Sequence, residues 1–261
     1  MPDHSPEYYL DCVERGIQLY WRTLGKMRQM VTCCAGDIEY VMPQPRRGPE
    51  RVYRLNLSPH TAEQRVEEII AGIRAGEIPG GLLLGPGATP AGLAGILARK
   101  GFEIDASDPC MVLDLADFRR IETPPAATQI CLVSQEAQVS EWARVVNLGM
   151  FGGELISAGQ FTDLYRLENT RLWLAYYDRQ PASAALTIRA GDVATLEFVA
   201  TPVEQRRKGL GTAVTAAALD DLRNLGVQTA TLRAEPDGIN IYKKAGFRTV
   251  CQRVVATYPS F

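Results

Sequence analysis

Three cations, Arg206, Arg207 and Lys208, stand directly before Gly209-Leu210-Gly211. The β-type run Val193–Thr201 leads into them. A helical pattern follows, with Val214, Ala218, Leu222 and Leu225 on one stripe. Strand, glycine-rich loop and helix in that order form an arrangement that holds phosphate, because the unpaired amides of the first helical turn point at an anion and the helix dipole adds partial positive charge. Gly209 and Gly211 let the backbone bend and approach closely without a Cβ clash. The three cations supply the charge-assisted donors that suit a pyrophosphate. Cations at a helix N-terminus oppose its dipole, so a merely solvated helix start is the weaker reading of the triplet. The loop lacks the G-x-x-x-x-G-K-[ST] pattern, and Val214 stands where a G-x-G-x-x-G dinucleotide loop needs glycine.

Tyr242-x-x-x-Gly246-Phe247 lies further along. Together, Arg206-x-x-Gly209-x-Gly211 at the end of an antiparallel strand and this second motif resemble the GNAT acyltransferase superfamily, whose R/Q-x-x-G-x-G/A loop binds the pyrophosphate of acetyl-CoA. The stretch Val199–Val250 looks like the cofactor half of that fold, and the order of elements from Ile130 onward fits it too.

The resemblance implies acetyl-CoA as co-substrate, entering where Val199, Ala200 and Thr201 splay from the neighbouring strand. The backbone there would pair with the pantetheine arm as if it were an added strand. The amides of Arg206, Arg207, Lys208, Gly209, Leu210, Gly211 and Thr212 would take the pyrophosphate. It also implies that Tyr242 protonates the departing thiolate, which a phenol of pKa near 10 can do at neutral pH. Glu197, on the strand entering the loop, is the matching candidate for the base that takes the amine's proton through water; an exposed strand glutamate is the competing reading. The chain departs from the family at Glu235, where many members carry an asparagine.

Around this region the remaining elements read as follows. Ser5-Pro6-Glu7 caps a first helix with Tyr9, Val13, Ile17, Tyr20, Leu24 and Met27 on one face. Strands at Asp37–Met42 and Arg51–Leu57 follow. A helix then opens with Thr61 and Gln64 spaced as a capping box and turns Val66, Ile70 and Ile73 inward. Leu82-Leu83-Leu84 forms a short buried strand, a helix carries Leu93 and Leu97 to Gly101, and Met111–Leu115 is another strand. The pattern breaks at Glu122-Thr123-Pro124-Pro125-Ala126-Ala127, where successive prolines favour an extended connector. The reading is therefore a domain at 1–122, a linker at 123–128 and a second domain at 129–261. Both are α/β (α+β), with mixed, mostly antiparallel sheets flanked by helices.

GLLLGPGATPAGLAGILARKGF before the connector echoes ATLRAEPDGINIYKKAGF after it, with Leu97 at the position of Tyr242. No Arg-x-x-Gly loop precedes the helix near Thr61. The first half thus reads as a degenerate GNAT-like copy that binds no CoA, and the whole resembles bacterial two-domain GNAT proteins. Gly85-Pro86-Gly87 lacks a nearby cation and reads as a turn.

Composition limits the alternatives. The 261 residues are 46% hydrophobic with a formal charge of −2, enough chain for a sizeable core and too little positive field for a nucleic-acid partner. No apolar run approaches the roughly 18 residues of a membrane span, and MPDHSPEYYL shows no cationic-then-apolar leader pattern. Six scattered cysteines and two histidines give no metal-ligand spacing, so no metal is expected; the cysteines read as buried hydrophobes in a reducing cytoplasm. The expected activity is transfer of an acetyl group to a primary amine of a small molecule by direct attack, with an acyl-CoA sensor lacking turnover as the alternative. Phe151–Leu167 mixes acids and aromatics in a way that suits a cationic acceptor. A β edge at the C-terminus would be the surface for pairing two chains.

Overall fold

The computed structural model describes residues 4–120, 125–236 and 238–259. Two compact units interleave along the chain. The first comprises Met1–Gly25, Gln29–Cys110 and Thr249–Phe261; the second comprises Lys26–Arg28 and Met111–Arg248. The connector expected at 123–128 falls partly outside the described residues. The units divide within two strands, β5 (Glu103–Asp114) and β11 (Arg248–Thr257). A long strand can serve two cores because its pairing and burial are local along its length.

The first unit opens with α1 (Pro6–Leu24), where the Ser5 hydroxyl accepts from the Tyr8 amide at 3.3 Å and Pro6 fills the first turn. β1 (Met30–Ala35) pairs antiparallel with β2 (Ile38–Pro43). The sequence reading misses β1 because MVTCCA shows no clean alternation. β3 (Arg51–Leu55) runs antiparallel to β2 and parallel to β4 (Gly81–Leu84), the connection passing through α2 (Ala62–Arg74). Val66 and Ile70 of α2 turn inward as expected. Thr61 makes no capping bond, and Gln64 bonds Glu68, so the expected capping box does not form. α3 (Leu93–Arg99) buries Leu97 completely.

The slot between β3 and β4 is closed by the chain itself. The Thr89 amide donates to the Leu55 carbonyl at 3.0 Å, and the Thr89 carbonyl accepts from the Leu57 amide at 3.1 Å. At Gly85-Pro86-Gly87, the Glu14 carboxylate of α1 accepts from the Gly87 amide at 3.1 Å; a Cβ on Gly85 would lie 2.2 Å from a Glu14 oxygen. β11 pairs antiparallel with β4, from Val254 opposite Leu84 to Thr257 opposite Gly81, and has β5 as its other neighbour. The C-terminal strand is therefore interior, which corrects the expectation of an exposed edge. Its Val254 and Ala256 are drawn in by the core of Leu82, Leu97, Phe102 and Tyr258.

In the second unit the strands run β5, β10 (Thr229–Arg233), β9 (Val193–Ala200), β8 (Gln180–Ala190), β7 (Thr170–Tyr177) and β6 (Thr128–Leu132). β6 to β9 are antiparallel neighbours. The β7–β8 hairpin turns at Asp178 and Arg179, both at positive φ (48° and 63°), as a two-residue turn matched to strand twist requires. β10 is parallel to β9 because α6 (Leu210–Asn224) crosses over between them. Val214, Leu219 and Leu222 of α6 share a core with Met111 and Leu113 of β5 and with Tyr242 and Phe247 around α7 (Ile239–Ala245). α4 (Glu136–Val146) and α5 (Ala158–Tyr165) bury Trp142 and Phe161.

Leu97→Ala removes a fully buried side chain from the first unit's core. It should cost about 2–5 kcal/mol, read as a lower urea midpoint at unchanged slope.

Candidate functional site

The strand entering the glycine loop is irregular at one point. Leu186 of β8 faces Glu197 and Ala184 faces Ala200, so Phe198 and Val199 together oppose Ala185. This is a β-bulge. Phe198 adopts φ of 48°, an uncommon conformation for a bulky residue. Its ring is held edge-on by Trp142 and Phe161, with centroids 5.9 and 5.7 Å away.

On the other side of β9, pairing with β10 stops early. The described register covers Val193–Thr195 against Thr229–Thr231, and β9 continues to Ala200 beyond it. Val199, Ala200 and Thr201, the residues expected to splay, all lie past that limit. The Ser183 hydroxyl donates to the Ala200 carbonyl at 3.0 Å, which leaves the Thr201 hydroxyl, 2.9 Å away, to donate to Ser183.

After Thr201 the chain makes one helical turn at Val203–Gln205 and then passes Arg207 (φ 61°) and Gly209 (φ 77°) into α6. Arg206 does not project as a simple rim cation. Its guanidinium donates to the Thr201 carbonyl at 3.1 Å and the Gly149 carbonyl at 3.3 Å, tying the loop to its entry strand. Arg207 is exposed. Lys208 bonds Gln205 Oε1 at 2.8 Å and sits 4.9 Å over the Tyr177 ring. Leu210 is buried under the helix start, with Thr212 half-buried beside it. A Cβ on Gly211 would come within 3.3 Å of Thr201 Oγ1 and 3.6 Å of Ile241 Cδ1, so the first turn of α6 lies close against the strand end and α7.

Tyr242 is buried in α7, edge-on to Phe247 at 5.9 Å. Gly238 makes room for its ring, since a Cβ there would lie 3.1 Å from Tyr242 Cε2. Burial pushes the phenol well above its ordinary value, and the negative charge of Glu197 pushes in the same direction; Arg233 opposes. Tyr242 and Glu197 therefore sense one another, and Thr195 Oγ1 donates to Glu197 Oε1 at 2.7 Å. Glu235 is exposed and paired with Arg233.

A cavity of about 250 Å³ is lined by residues of α4, the α4–α5 connection and α5, among them Arg144, Leu148 and Glu154. Between α4 and α5 the helix widens over Asn147–Phe151. Asn147 holds the following loop: its Nδ2 donates to the Ile156 carbonyl at 2.8 Å, and its Oδ1 accepts from the Leu155 and Ile156 amides. Gly149 lies against the end of β9, where a Cβ would be 3.0 Å from the Thr201 amide nitrogen. Arg28 clamps Asp163 of α5 through its guanidinium and its own amide.

Residues 145–258 match the acetyltransferase (GNAT) domain family. That stretch is similar to a GNAT acetyltransferase domain. A GCN5-related N-acetyltransferase from Kribbella flavida is similar over 95% of this chain and 96% of its own, at 20% identity and a TM-score of 0.74. A tandem GNAT protein from the clavulanic acid biosynthesis pathway is similar over 100% and 97%, at 15% identity and a TM-score of 0.64. A GCN5-related N-acetyltransferase from Sphaerobacter thermophilus covers 86% and 82%, at 12% identity and a TM-score of 0.63. No curated protein matches the chain. These likenesses establish the mixed, mostly antiparallel GNAT-like fold.

Of the expected residues, Arg206 and Gly211 lie at Thr201 and Glu197 is within electrostatic reach of Tyr242, while Lys208 turns to Gln205 and Tyr177 and Arg207 is exposed. Sequence reasoning misses Ser183, Gly149 and Asn147. Gly149 was the findable one, as a glycine inside a helical pattern; a serine within a strand gives no such signal. Among the described residues no group of three or more His, Cys, Asp or Glu could hold a metal ion, and no helix is long and apolar enough to cross a membrane.

A phenol whose folded-state pKa is raised stabilises the fold below its unfolded value and loses that contribution as pH rises through and beyond it. Wild-type stability should therefore fall more steeply above about pH 10 than that of Tyr242→Phe. Urea denaturation across that range checks it.

Proposed function

We propose that the GNAT domain transfers an acetyl group from acetyl-CoA to a primary amine, most simply that of a small molecule. The observation that carries this reading is the end of β9. A bulge holds the strand to β8 while its pairing with β10 stops at Thr195, and a glycine loop opening α6 follows at once. Such a strand end offers backbone groups to an extended amide chain, and the turn after it offers amides to a pyrophosphate. The fit is supported by Gly211, whose missing Cβ leaves space beside Thr201.

Acetyl-CoA supplies the activated thioester. The chain's residues do the rest. Backbone amides at the bulge, near Val199, polarise the carbonyl oxygen. Glu197 takes the proton that the amine nitrogen sheds as it bonds to the carbonyl carbon. Tyr242, kept protonated by burial, delivers its proton to sulfur as the carbon–sulfur bond breaks. Arg206 holds the geometry by bonding the carbonyls of Thr201 and Gly149. The exposed Leu148, Met150 and Phe151 give the acceptor side apolar surface, and Arg144 and Glu154 line the cavity beside it with one charge of each sign.

The first unit is read as silent toward CoA. Thr89 fills its equivalent slot between β3 and β4, and Glu14 places a carboxylate on the amide of Gly87. One acetyl-CoA should therefore bind per chain.

Calorimetric titration with acetyl-CoA should give one site in the wild type and none in Gly209→Glu, whose carboxylate would repel a pyrophosphate. Binding at two sites would refute the silent first unit, and no binding at all would refute the reading as a whole. With an acceptor found by screening amines, Tyr242→Phe should keep acetyl-CoA affinity and lose roughly 10²–10⁴-fold in turnover. Tight binding without turnover on any amine would favour the sensor reading.

A further inference from the structure

Cys110 on β5 and Cys251 on β11 belong to the first unit and lie outside the site described above. β5 and β11 are neighbours in the sheet. Two ion pairs fix their relative direction: Asp108 with Arg253, and Asp114 with Arg248 at 3.6 Å. Rising numbers on β5 meet falling numbers on β11, as in an antiparallel ladder. Cys110 therefore stands opposite Cys251, with Asp108 and Arg253 as the next pair on the same face. Directly opposed residues place their Cβ atoms about 4.5–5.5 Å apart and a disulfide needs about 3.5–4.5 Å, so a small approach of the two strands closes the bridge.

The two thiols are unequal. Cys110 is buried, whereas Cys251 is partly accessible. The hydrogen bond from Cys110 holds the Cys251 thiol below its ordinary value, against burial and the charge of Glu14. Burial instead pushes the Cys131 thiol up. A partly accessible sulfur standing opposite a buried second cysteine has the arrangement of an attacking and a resolving cysteine.

We propose that Cys110 and Cys251 form an oxidisable dithiol site whose substrate is a peroxide. The Cys251 thiolate attacks one oxygen of hydrogen peroxide. The oxygen–oxygen bond breaks, and the leaving hydroxide takes up a proton, leaving Cys251 as the sulfenic acid. The Cys110 sulfur then attacks the Cys251 sulfur. A sulfur–sulfur bond forms, the sulfur–oxygen bond breaks, and the hydroxyl leaves as water with the proton of Cys110. Two thiols are oxidised to one disulfide while one peroxide is reduced to two waters. The bridge pins the register of both strands beside the points where the chain passes into the second unit, after Cys110 and before Thr249.

The test uses the full chain, treated with hydrogen peroxide and mapped by non-reducing peptide mass spectrometry. The expected product is a Cys110 peptide bridged to a Cys251 peptide, returned to two thiols by dithiothreitol. In Cys110→Ala, Cys251 should instead be trapped by dimedone, several-fold above the untreated variant. Cys251 left unmodified, or carried to the sulfinic acid while Cys110 stays a free thiol, would overturn the proposal. The wild-type map decides the matter even if the variant fails to fold.

Discussion

β9 has to satisfy β8 along its whole length and β10 along only part of it, and the organisation of the site depends on how it does both. The extra residue at Phe198–Val199 turns the strand's direction without releasing β8. A bulky residue at a φ of 48° costs about 1–3 kcal/mol, so its neighbours must fix it. Trp142 and Phe161 do so from one face through ring contacts, and Ser183 holds the Ala200 carbonyl from the adjacent strand. Arg206 and Gly149 are arranged around the strand end that results. Were β9 straight, the ladder with β10 could run on, and no backbone would be left to offer a ligand.

The first unit shows the other solution to the same topology. Its β3 and β4 are also parallel neighbours joined through a helix, and its strand pairing is also brief. There Thr89 supplies the missing partner from within the chain, and Glu14 accepts from the Gly87 amide in the turn after β4. Backbone groups that are buried without partners are costly. A parallel strand pair that opens must therefore be closed by a ligand, by water or by its own sequence.

Much of this was legible in the residues. The glycine loop, the Tyr242 motif, the strand order from Ile130 onward and the inward faces of α1, α2 and α6 follow from spacing and periodicity, because those signals are local, although Leu225, expected on the α6 stripe, lies past the helix end and is exposed. What escaped reading was non-local. β1 exists because β2 lies beside it. Thr61 has the right residue type for a cap yet makes no cap bond, while Ser157 and Gln160 form the box instead. Arg206 was expected to face an anion, but the approach of Gly149 and Thr201 turns its guanidinium onto carbonyls. The strand exchange had no sequence signature, since apolar runs in β5 and β11 suit either core equally well.

That exchange bears on how such a chain could be rearranged. Met111, Leu113, Leu115 and Phe118, written before the proline connector, sit in the core of the GNAT unit, while Ala256 and Tyr258, written at the far end, sit in the core of the other. A recombination break at the connector would strip both cores at once. Although it reads as a repeat, the gene behaves as a single unit of inheritance. Neither unit can be encoded without residues written on the far side of the connector, so each unit's core depends on the span of chain that carries the other.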